Sequence, residues 1–172
     1  DYRIKSKGKL LATGRSVGYG LGIGTAKIIG SLEDMYLIDE GDILVTDHTD
    51  PNWEPVMKKT AAIITNKGGR TCHAAIVARE LGIPAVVGCL DATSKIQNQS
   101  TISVSCAEGD QGFVYQGSIE YELIAKNIES LPNITTKIMI NIGNPDRAFY
   151  FAQLPNEGVG LARIEFIINR MI

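Results

Sequence analysis

The segment whose residue types and spacing are best suited to chemistry is Gly68-Gly69-Arg70-Thr71-Cys72-His73, which precedes a run of residues with helical spacing. It places His73 in the first turn of a predicted helix over 72–81, with Thr71 as the predicted N-cap. Free backbone N–H groups and the positive end of the helix dipole favour an anion there. A neutral imidazole is also a good nucleophile toward phosphorus. The spacing therefore predicts a histidine that carries a phosphoryl group, with Arg70 able to neutralise the added charge.

The same residues also allow a purely structural interpretation, which the spacing alone leaves open. A Gly-Gly pair before a capped helix is a common turn, and a single histidine in a first turn is often only a surface residue. Glu80 lies two helical turns further on, so it cannot orient His73. The helix is expected to bury one stripe, formed by Ala74, Val77, Ala78 and Leu81. His73 lies about 90° from that stripe, where one ring nitrogen could face a partner.

Composition describes an ordinary globular chain. Its 172 residues are 44% hydrophobic and 21% charged, and the formal net charge is -2. This near-neutral balance argues against nucleic acid or an anionic membrane as the main partner. No apolar run approaches the roughly 20 residues of a membrane span. Because the sequence begins with neither an initiator methionine nor a signal-like segment, we expect a piece of a longer cytoplasmic protein.

The three cysteines, Cys72, Cys89 and Cys106, are spaced too irregularly for a disulfide framework, which fits a reducing cytoplasm. They contain no C-x-x-C pair that could combine with His48 or His73 to bind zinc. We therefore predict no metal site in this stretch and expect structural thiols. A surface role is expected for His48.

The predicted elements alternate between strands and helices, which is typical of an α/β fold. Glycine-punctuated β-structure is predicted over 9–30, where glycine at every second residue does not fit the dinucleotide-binding fingerprint. A short helix is expected from Asp50-Pro51 to Lys59. Further strands are predicted at 42–46, 61–65, 85–87, 101–105 and 112–115. A helix at Ile119–Ile128 is then predicted to precede two β/α repeats. They contain a buried strand at 137–142, another strand at 158–161, and helices at 145–153 and 165–171.

Beyond the hexapeptide, the whole segment from Gly68 to Gly88 closely resembles the phosphohistidine signature of the phosphoenolpyruvate-utilising enzymes. The segments 46–57 and 105–110, together with Cys72, are most similar to the members that act on ATP, pyruvate and water. Asn141-Ile142-Gly143 and the segment 158–166 resemble the start of the family's phosphoenolpyruvate-binding (β/α)₈ barrel. Two motifs in the family's order identify the chain as a member.

The resemblance implies an α/β chain in three parts. A swivelling β/β/α phosphohistidine domain is expected over 1–117, a connecting helix and linker over 118–135, and the N-terminal piece of the barrel over 136–172. Two β/α repeats are too few to close a barrel of eight, so that barrel would be truncated. The linker around 130–135 is the predicted hinge. Oligomeric state is left open, with a homodimer as one alternative.

The resemblance also implies a division of chemistry. An ATP-grasp domain outside this stretch would phosphorylate His73 at Nε2 from ATP. The swivelling domain would carry the group to the barrel, where pyruvate would receive it. The net reaction would convert ATP, pyruvate and water into AMP, phosphoenolpyruvate and phosphate. The enzyme would be a phosphotransferase that uses Mg²⁺ and ATP, both bound outside this stretch, so the stretch alone is not expected to turn over.

Two further residue roles follow from the resemblance. Arg163 matches an arginine that contacts substrate near the end of a barrel strand, where arginine suits phosphate and carboxylate. A surface salt bridge with Glu165 is its structural alternative. Thr71 matches a threonine that a regulatory kinase/phosphorylase modifies, and a phosphate there would repel incoming phosphoryl groups beside His73.

Two other functions stay open at this point. Enzyme I of the sugar phosphotransferase system is a related enzyme that passes phosphate to a small carrier protein. The segment Trp53-Glu54-Pro55 and Cys72 favour the ATP-dependent members instead. A non-catalytic swivelling module that binds a partner or an anion is the third possibility, and the intact set of His73, Thr71 and Arg70 argues against it.

Overall fold

The computed structural model describes residues 1–125, 134–143, 145–164 and 168, and the chain divides into two compact units, Asp1–Ile124 and Ala125–Ile172. In chain order the strands of the described ranges are β1 (Tyr2–Ser6), β2 (Leu10–Val17), β3 (Leu21–Ile28), β4 (Ile43–Thr46), β5 (Ala62–Thr65), β6 (Ala85–Val87), β7 (Thr101–Ser105), β8 (Gln111–Gln116), β9 (Glu120–Leu123), β10 (Ile140–Ile142) and β11 (Val159–Ala162). The α-helices are α1 (Glu54–Met57), α2 (His73–Leu81), α3 (Ala92–Lys95) and α4 (Ala148–Ala152), and 3-10 turns span Leu32–Leu37, Pro51–Trp53 and Pro145–Arg147.

Seven strands of the first unit close into a barrel in the order β2-β6-β5-β4-β3-β7-β8. The pairs β3-β4, β4-β5 and β5-β6 are parallel, and the other neighbours are antiparallel. The mixed α/β class expected from the sequence is confirmed. The closure was not predicted, because it depends on pairs such as β2 with β8 that lie far apart along the chain and leave no local pattern.

The central parallel strands are buried on both faces, as their continuous aliphatic sequences require. Successive side chains of a strand point to opposite sides, so each strand contributes to two clusters. The interior cluster includes Ile43, Val45, Ala62, Ile64, Val86, Ile102 and Val104. The outer cluster packs Leu44, Ile63, Ala85 and Val87 with Ala74, Ala75, Val77 and Ala78 of α2. The predicted helix stripe is thus confirmed, with Leu81 packed partly buried against it.

A two-stranded ribbon of β1 and β9 forms beside the barrel strands in the first unit. Tyr2 pairs with Leu123, and Ile4 pairs with Tyr121, in antiparallel register. The helix predicted at Ile119–Ile128 is therefore wrong over its first half, and residues 126–128 lie outside the described ranges. The local pattern predicted a helix, but this segment forms a strand because its backbone pairs with β1, which is distant in sequence.

In the second unit, β10 and β11 pair in parallel, and α4 lies between them in sequence. The predicted order of strand, helix and strand is confirmed here. The burial predicted for 137–142 is wrong, since Ile138 and Met139 are 53% and 50% exposed. Among the described residues only one strand pairs with β10, and such a pair leaves apolar faces uncovered. The predicted helix at 165–171 and the predicted hinge at 130–135 fall largely outside the described ranges.

None of the helices formed by the described residues has the length and apolar content that crossing a bilayer requires.

Candidate functional site

The site is built where the parallel strands β4 and β5 end side by side. β4 leads into the loop that carries Thr49, and β5 leads through Gly68 and Gly69 into α2. Carboxyl ends of adjacent parallel strands meet at one edge of a sheet, which is the usual place for a site in such folds. This topology brings two loops together that are separated by a helix in sequence.

Helix α2 begins at His73, and its N-cap is Cys72, whose backbone is extended at φ -71 and ψ 164. The carbonyl oxygen of Cys72 accepts the first helical hydrogen bond, from the N–H of Ile76 at 3.0 Å. The prediction of Thr71 as the N-cap is therefore wrong by one residue, because the turn to helical backbone occurs after Cys72. Thr71 is exposed on the loop just before the helix. His73 itself occupies the first turn, as predicted.

The imidazole of His73 is held from one side. Its Nδ1 lies 3.0 Å from the hydroxyl Oγ1 of Thr49. When Nδ1–H donates to that oxygen, the lone pair on Nε2 is left for reaction. Sequence reasoning did not find Thr49. The available signal was a hydroxyl residue just after β4, the strand adjacent to β5.

The ring is half-buried, and this controls its protonation. Burial lowers the pKa of His73 from its ordinary value, while the charges of Asp50 and Glu54 act in the opposite direction. Because the charged ring is disfavoured, the neutral imidazole is the main form at pH 7. That is the form in which a histidine nitrogen can act as a nucleophile.

The loop before α2 is fixed by two arginines. The guanidinium of Arg79 donates to the carbonyl oxygen of Arg70 at 2.7 Å. The side chain of Arg70 forms an ion pair with Asp110, with 2.7 Å between Nη2 and Oδ1. The positive charge of Arg70, three residues before His73, is therefore paired with a carboxylate from the turn between β7 and β8.

A second set of contacts ties the two site loops together. The carboxylate of Asp47 lies 2.8 Å from Nζ of Lys67 and 3.2 Å from Nδ1 of His48. The hydrogen bond from Lys67, followed by that from His48, holds the pKa of Asp47 below its usual range. The backbone N–H of Lys67 also donates to the carbonyl of Asp47 at 2.9 Å. These contacts fix the position of the Thr49 loop relative to the Gly68 loop.

A small cavity of about 130 Å³ lies between these loops. It is lined by His48, Thr49, Thr65, Lys67, Gly68, Cys72 and Ala74. The cavity is next to the residue that bonds His73 and includes the thiol-bearing N-cap of α2. It therefore belongs to the histidine site.

Arg163, the predicted substrate ligand, lies in the second unit directly after β11. Its backbone N–H donates to the carbonyl oxygen of Ile142 at 2.8 Å. Glu165, its alternative salt-bridge partner, is outside the described ranges. Within the part of the chain that the structure describes, no group of three or more His, Cys, Asp or Glu side chains converges as a metal site.

The first unit is a closed α/β barrel that presents a histidine at the start of a packed helix. Residues 38–109 match the family model described as PEP-utilising enzyme, mobile domain. This range contains β4 to β7, α1 to α3 and the whole His73 loop. The match confirms the resemblance carried by Gly68–Gly88.

Among similar proteins, phosphoenolpyruvate synthase of Escherichia coli (strain K12) is 58% identical over 171 residues, which are 99% of this chain and 22% of that protein. Phosphoenolpyruvate synthase of Pseudomonas aeruginosa (strain UCBPP-PA14) is 57% identical with the same coverage. A solution structure of enzyme I (nEIt) is 32% identical, covers 46% of this chain and 33% of that chain, and has a TM-score of 0.40. The chain spans about a fifth of the length of the curated relatives that it matches.

Proposed function

We propose that this chain is the phosphohistidine carrier of a longer enzyme that converts ATP, pyruvate and water into AMP, phosphoenolpyruvate and phosphate. The observation that carries the proposal is the setting of His73, at the first turn of α2 with Nδ1 held 3.0 Å from Thr49. Relatives that are more than half identical and are phosphoenolpyruvate synthases supply the reaction.

The geometry supports a two-step transfer through Nε2. In the first step Nε2 attacks the β-phosphorus of ATP, an N–P bond forms, and the P–O bond to AMP breaks with its electron pair on the AMP oxygen. Before the second step, water attacks the γ-phosphorus and the P–O bond to the β-phosphorus breaks, which releases phosphate and leaves one phosphoryl group on Nε2. The Nδ1 proton stays on the ring and donates to Thr49. In the second step the enolate oxygen of pyruvate attacks phosphorus, and the N–P electron pair returns to Nε2. The imidazole is regenerated without loss of its Nδ1 proton.

The start of α2 suits the charge that arrives with the phosphoryl group. The first backbone N–H groups of a helix lack partners within it, and the helix dipole is positive at that end. Burial that disfavours the imidazolium keeps the nucleophile available before transfer. Arg70 is the cation that would neutralise the phosphoryl oxygens after transfer.

The remaining assignments extend the proposal to the longer protein. Residues 1–117 would form the swivelling domain, 118–135 the connection and 136–172 the start of a (β/α)₈ barrel, with Arg163 as a ligand of pyruvate or phosphoenolpyruvate. ATP and Mg²⁺ would be used by an ATP-grasp domain and by the rest of the barrel. A cytoplasmic location suits such a reaction. The parallel pair of β10 and β11 with a helix between them supports the barrel assignment.

Thr71 is proposed as a regulatory phosphorylation site. Its side chain is exposed on the loop two residues before His73, so a modifying enzyme can reach it. A phosphate there would add about two negative charges beside the carrier and repel the next phosphoryl group. A Thr71→Val variant should keep its carrier activity in the presence of the kinase/phosphorylase. Equal inactivation of the variant and the natural sequence would reject this role.

The carrier function is tested by phosphorylation in trans. The chain is mixed with a complete phosphoenolpyruvate synthase whose own phosphohistidine is replaced, and with ATP labelled at the β-phosphate. We expect acid-labile, base-stable label on this chain and none on His73→Ala. His48→Ala is the matched control, since His48 lines the same cavity but its ring pairs with Asp47 instead of contacting the residue that holds His73. Label that persists in His73→Ala, or a folded chain that never takes up label, would reject the function.

A further inference from the structure

The partner of Arg70 suggests how strongly this site retains a phosphoryl group. In the unphosphorylated chain the Arg70 guanidinium is paired with Asp110, and the two side chains are 48% and 87% exposed. The pair joins the loop before α2 to the turn between β7 and β8. Arg70 therefore cannot give its full charge to a group on His73 while this pair is intact.

The backbones on both sides of this ion pair are anchored. The carbonyl oxygen of Arg70 accepts a hydrogen bond from Arg79 at 2.7 Å. The carbonyl oxygen of Asp110 accepts one from the N–H of Ser16 in β2 at 3.1 Å. Rotation of the Arg70 side chain can therefore separate the pair without moving either loop. Exposed ion pairs contribute little to stability, so such an exchange costs little.

A phosphoryl group is a stronger competitor for the guanidinium than a single carboxylate. It carries about 1.5 to 2 negative charges near neutral pH and offers several acceptor oxygens. Arginine binds such groups through paired, charge-assisted hydrogen bonds. A phosphoryl group on His73, three residues along the chain from Arg70, would be a second anion able to compete with Asp110 for this cation.

We propose that Asp110 is a positioning residue that competes with phosphorylated His73 for Arg70, an inference that rests on the carrier function proposed above. In the free site Asp110 holds the guanidinium. In the phosphorylated site Arg70 exchanges Asp110 for the phosphoryl oxygens. Breaking the Arg70–Asp110 pair costs free energy, so Arg70 binds the phosphoryl group less tightly than it would if Asp110 were absent. This favours onward transfer by a carrier.

The test uses the 172-residue chain and phosphoramidate as donor, so no other protein is needed. Nε2 of His73 attacks phosphorus, the N–P bond forms, and the P–N bond to the donor nitrogen breaks, releasing ammonia after proton uptake. The proton affinity of the attached phosphoryl group is then measured by ³¹P NMR across pH. Contact with Arg70 favours the dianion and lowers this proton affinity.

We expect Asp110→Asn to lower the proton affinity of the phosphoryl group about two- to fivefold, the range that an exposed ion pair can supply. In an Arg70→Gln background the same substitution should have no effect, which a merely structural role of Asp110 would not predict. Glu122→Gln is the matched control, because Glu122 forms a comparable exposed pair with Lys5 in the ribbon. It should leave the titration unchanged.

The outcomes separate this inference from the carrier function. A phosphohistidine signal with identical titrations for Asp110→Asn and the natural sequence would overturn the role of Asp110 alone. An equal shift in the Arg70→Gln background would do the same. If no folded variant forms phosphohistidine, the carrier function fails and the competition for Arg70 fails with it.

Discussion

The two nitrogens of His73 have different surroundings, and this difference is the basis of its chemistry. Nδ1 is fixed by the hydroxyl of Thr49, which also fixes the plane of the ring. Nε2 has no such role in orienting the ring and is the atom assigned to the phosphoryl group. We therefore expect Thr49 to act on phosphorylation by orienting the ring rather than by touching phosphorus, since its hydroxyl can donate to or accept from Nδ1.

Replacing Thr49 by Val should slow phosphorylation of His73 without unfolding the domain. The substitution keeps the side-chain shape and removes one hydrogen bond, which contributes about 1 kcal/mol or somewhat more. We expect the rate of phosphohistidine formation from phosphoramidate to fall about five- to thirtyfold, as followed by ³¹P NMR. Thr101→Val, at an exposed position in β7, is the control and should react normally. An unchanged rate in Thr49→Val would contradict the orienting role.

The lowered pKa of His73 predicts a specific pH dependence of stability. The unfolded ring titrates near its ordinary value of 6.5, and the folded ring titrates lower because it is partly buried. Between these two values the unfolded chain binds more protons, so the free energy of unfolding falls as pH falls from 6.5 toward the lowered pKa. Below the lowered pKa this contribution becomes constant.

Urea unfolding at a series of pH values checks this dependence. We expect the natural sequence to lose more stability than His73→Gln as pH falls below 6.5, and NMR titration of the ring should give a midpoint below that value. Parallel stability curves for the two proteins would show that the ring is not desolvated in solution.

At the level of elements, the helix that carries the site was predictable because its signals are local. The apolar stripe of α2, its start after the glycine pair and its end at Gly82 all lie within a short run of sequence. Gly82 adopts φ +73 at the C-cap, which is the usual reason for glycine there. The N-cap was misassigned by one residue, since both Thr71 and Cys72 precede the first helical residue and only the backbone angles separate them.

The partners of the site were not predictable, because they come from other elements. Thr49 follows β4 and Asp110 follows β7, and their approach to the His73 loop depends on the order of strands in the barrel. Arg70 was assigned to phosphate from its charge and spacing alone. Its ion pair with Asp110 could not be found without the fold, since nothing near Asp110 in sequence indicates an arginine partner.

Gly88 shows how closely two loops approach at the site. It adopts φ +71, and a Cβ atom there would lie 2.8 Å from the carbonyl oxygen of Gly68. Gly117 adopts a similar φ of +77, but a Cβ atom there would meet nothing within 4 Å. The two glycines therefore share a backbone conformation and differ in their surroundings.

Alanine at these two positions separates the two effects. Gly117→Ala should cost about 1 kcal/mol, for the left-handed conformation alone. Gly88→Ala should cost more than about 2 kcal/mol and should slow phosphorylation of His73, because Gly68 must move. Chemical denaturation and the phosphoramidate assay measure both. Equal destabilisation by the two substitutions would show that the Gly68 loop can move away from the new Cβ atom without a measurable loss of stability.

At the scale of the whole molecule, the first unit has its own hydrophobic core. The buried residues of both core clusters lie between Ala12 and Val114, well inside Asp1–Ile124. The resemblance to a family predicted the carrier and the start of a second domain. It did not reveal that β1 and β9 pair with each other, so the predicted boundary at 117 precedes the end of the first compact unit.

A chain ended after Ile124 should keep the stability and the reactivity of the barrel unit. We expect thermal unfolding of 1–124 with the same midpoint as the barrel transition of the full chain, and equal phosphorylation of His73 by phosphoramidate. A chain ended after Gly117 is the comparison, and it should be less stable because β1 loses its partner. A large drop in the midpoint of 1–124 would show that residues beyond Ile124 contribute to the barrel's stability.

The pairing of Tyr2 with Leu123 places the two ends of this unit side by side, so the unit is suited to insertion into another protein. Residues paired across two strands lie about 5 Å apart, so the unit enters and leaves through one narrow base. A host protein that receives it in a surface loop has to hold open a gap no wider than that of an ordinary hairpin. The closure entropy of such a loop is small, and neither fold has to be threaded through the other. Because the ribbon holds both ends together, the first unit could be inserted as a domain into surface loops of unrelated proteins.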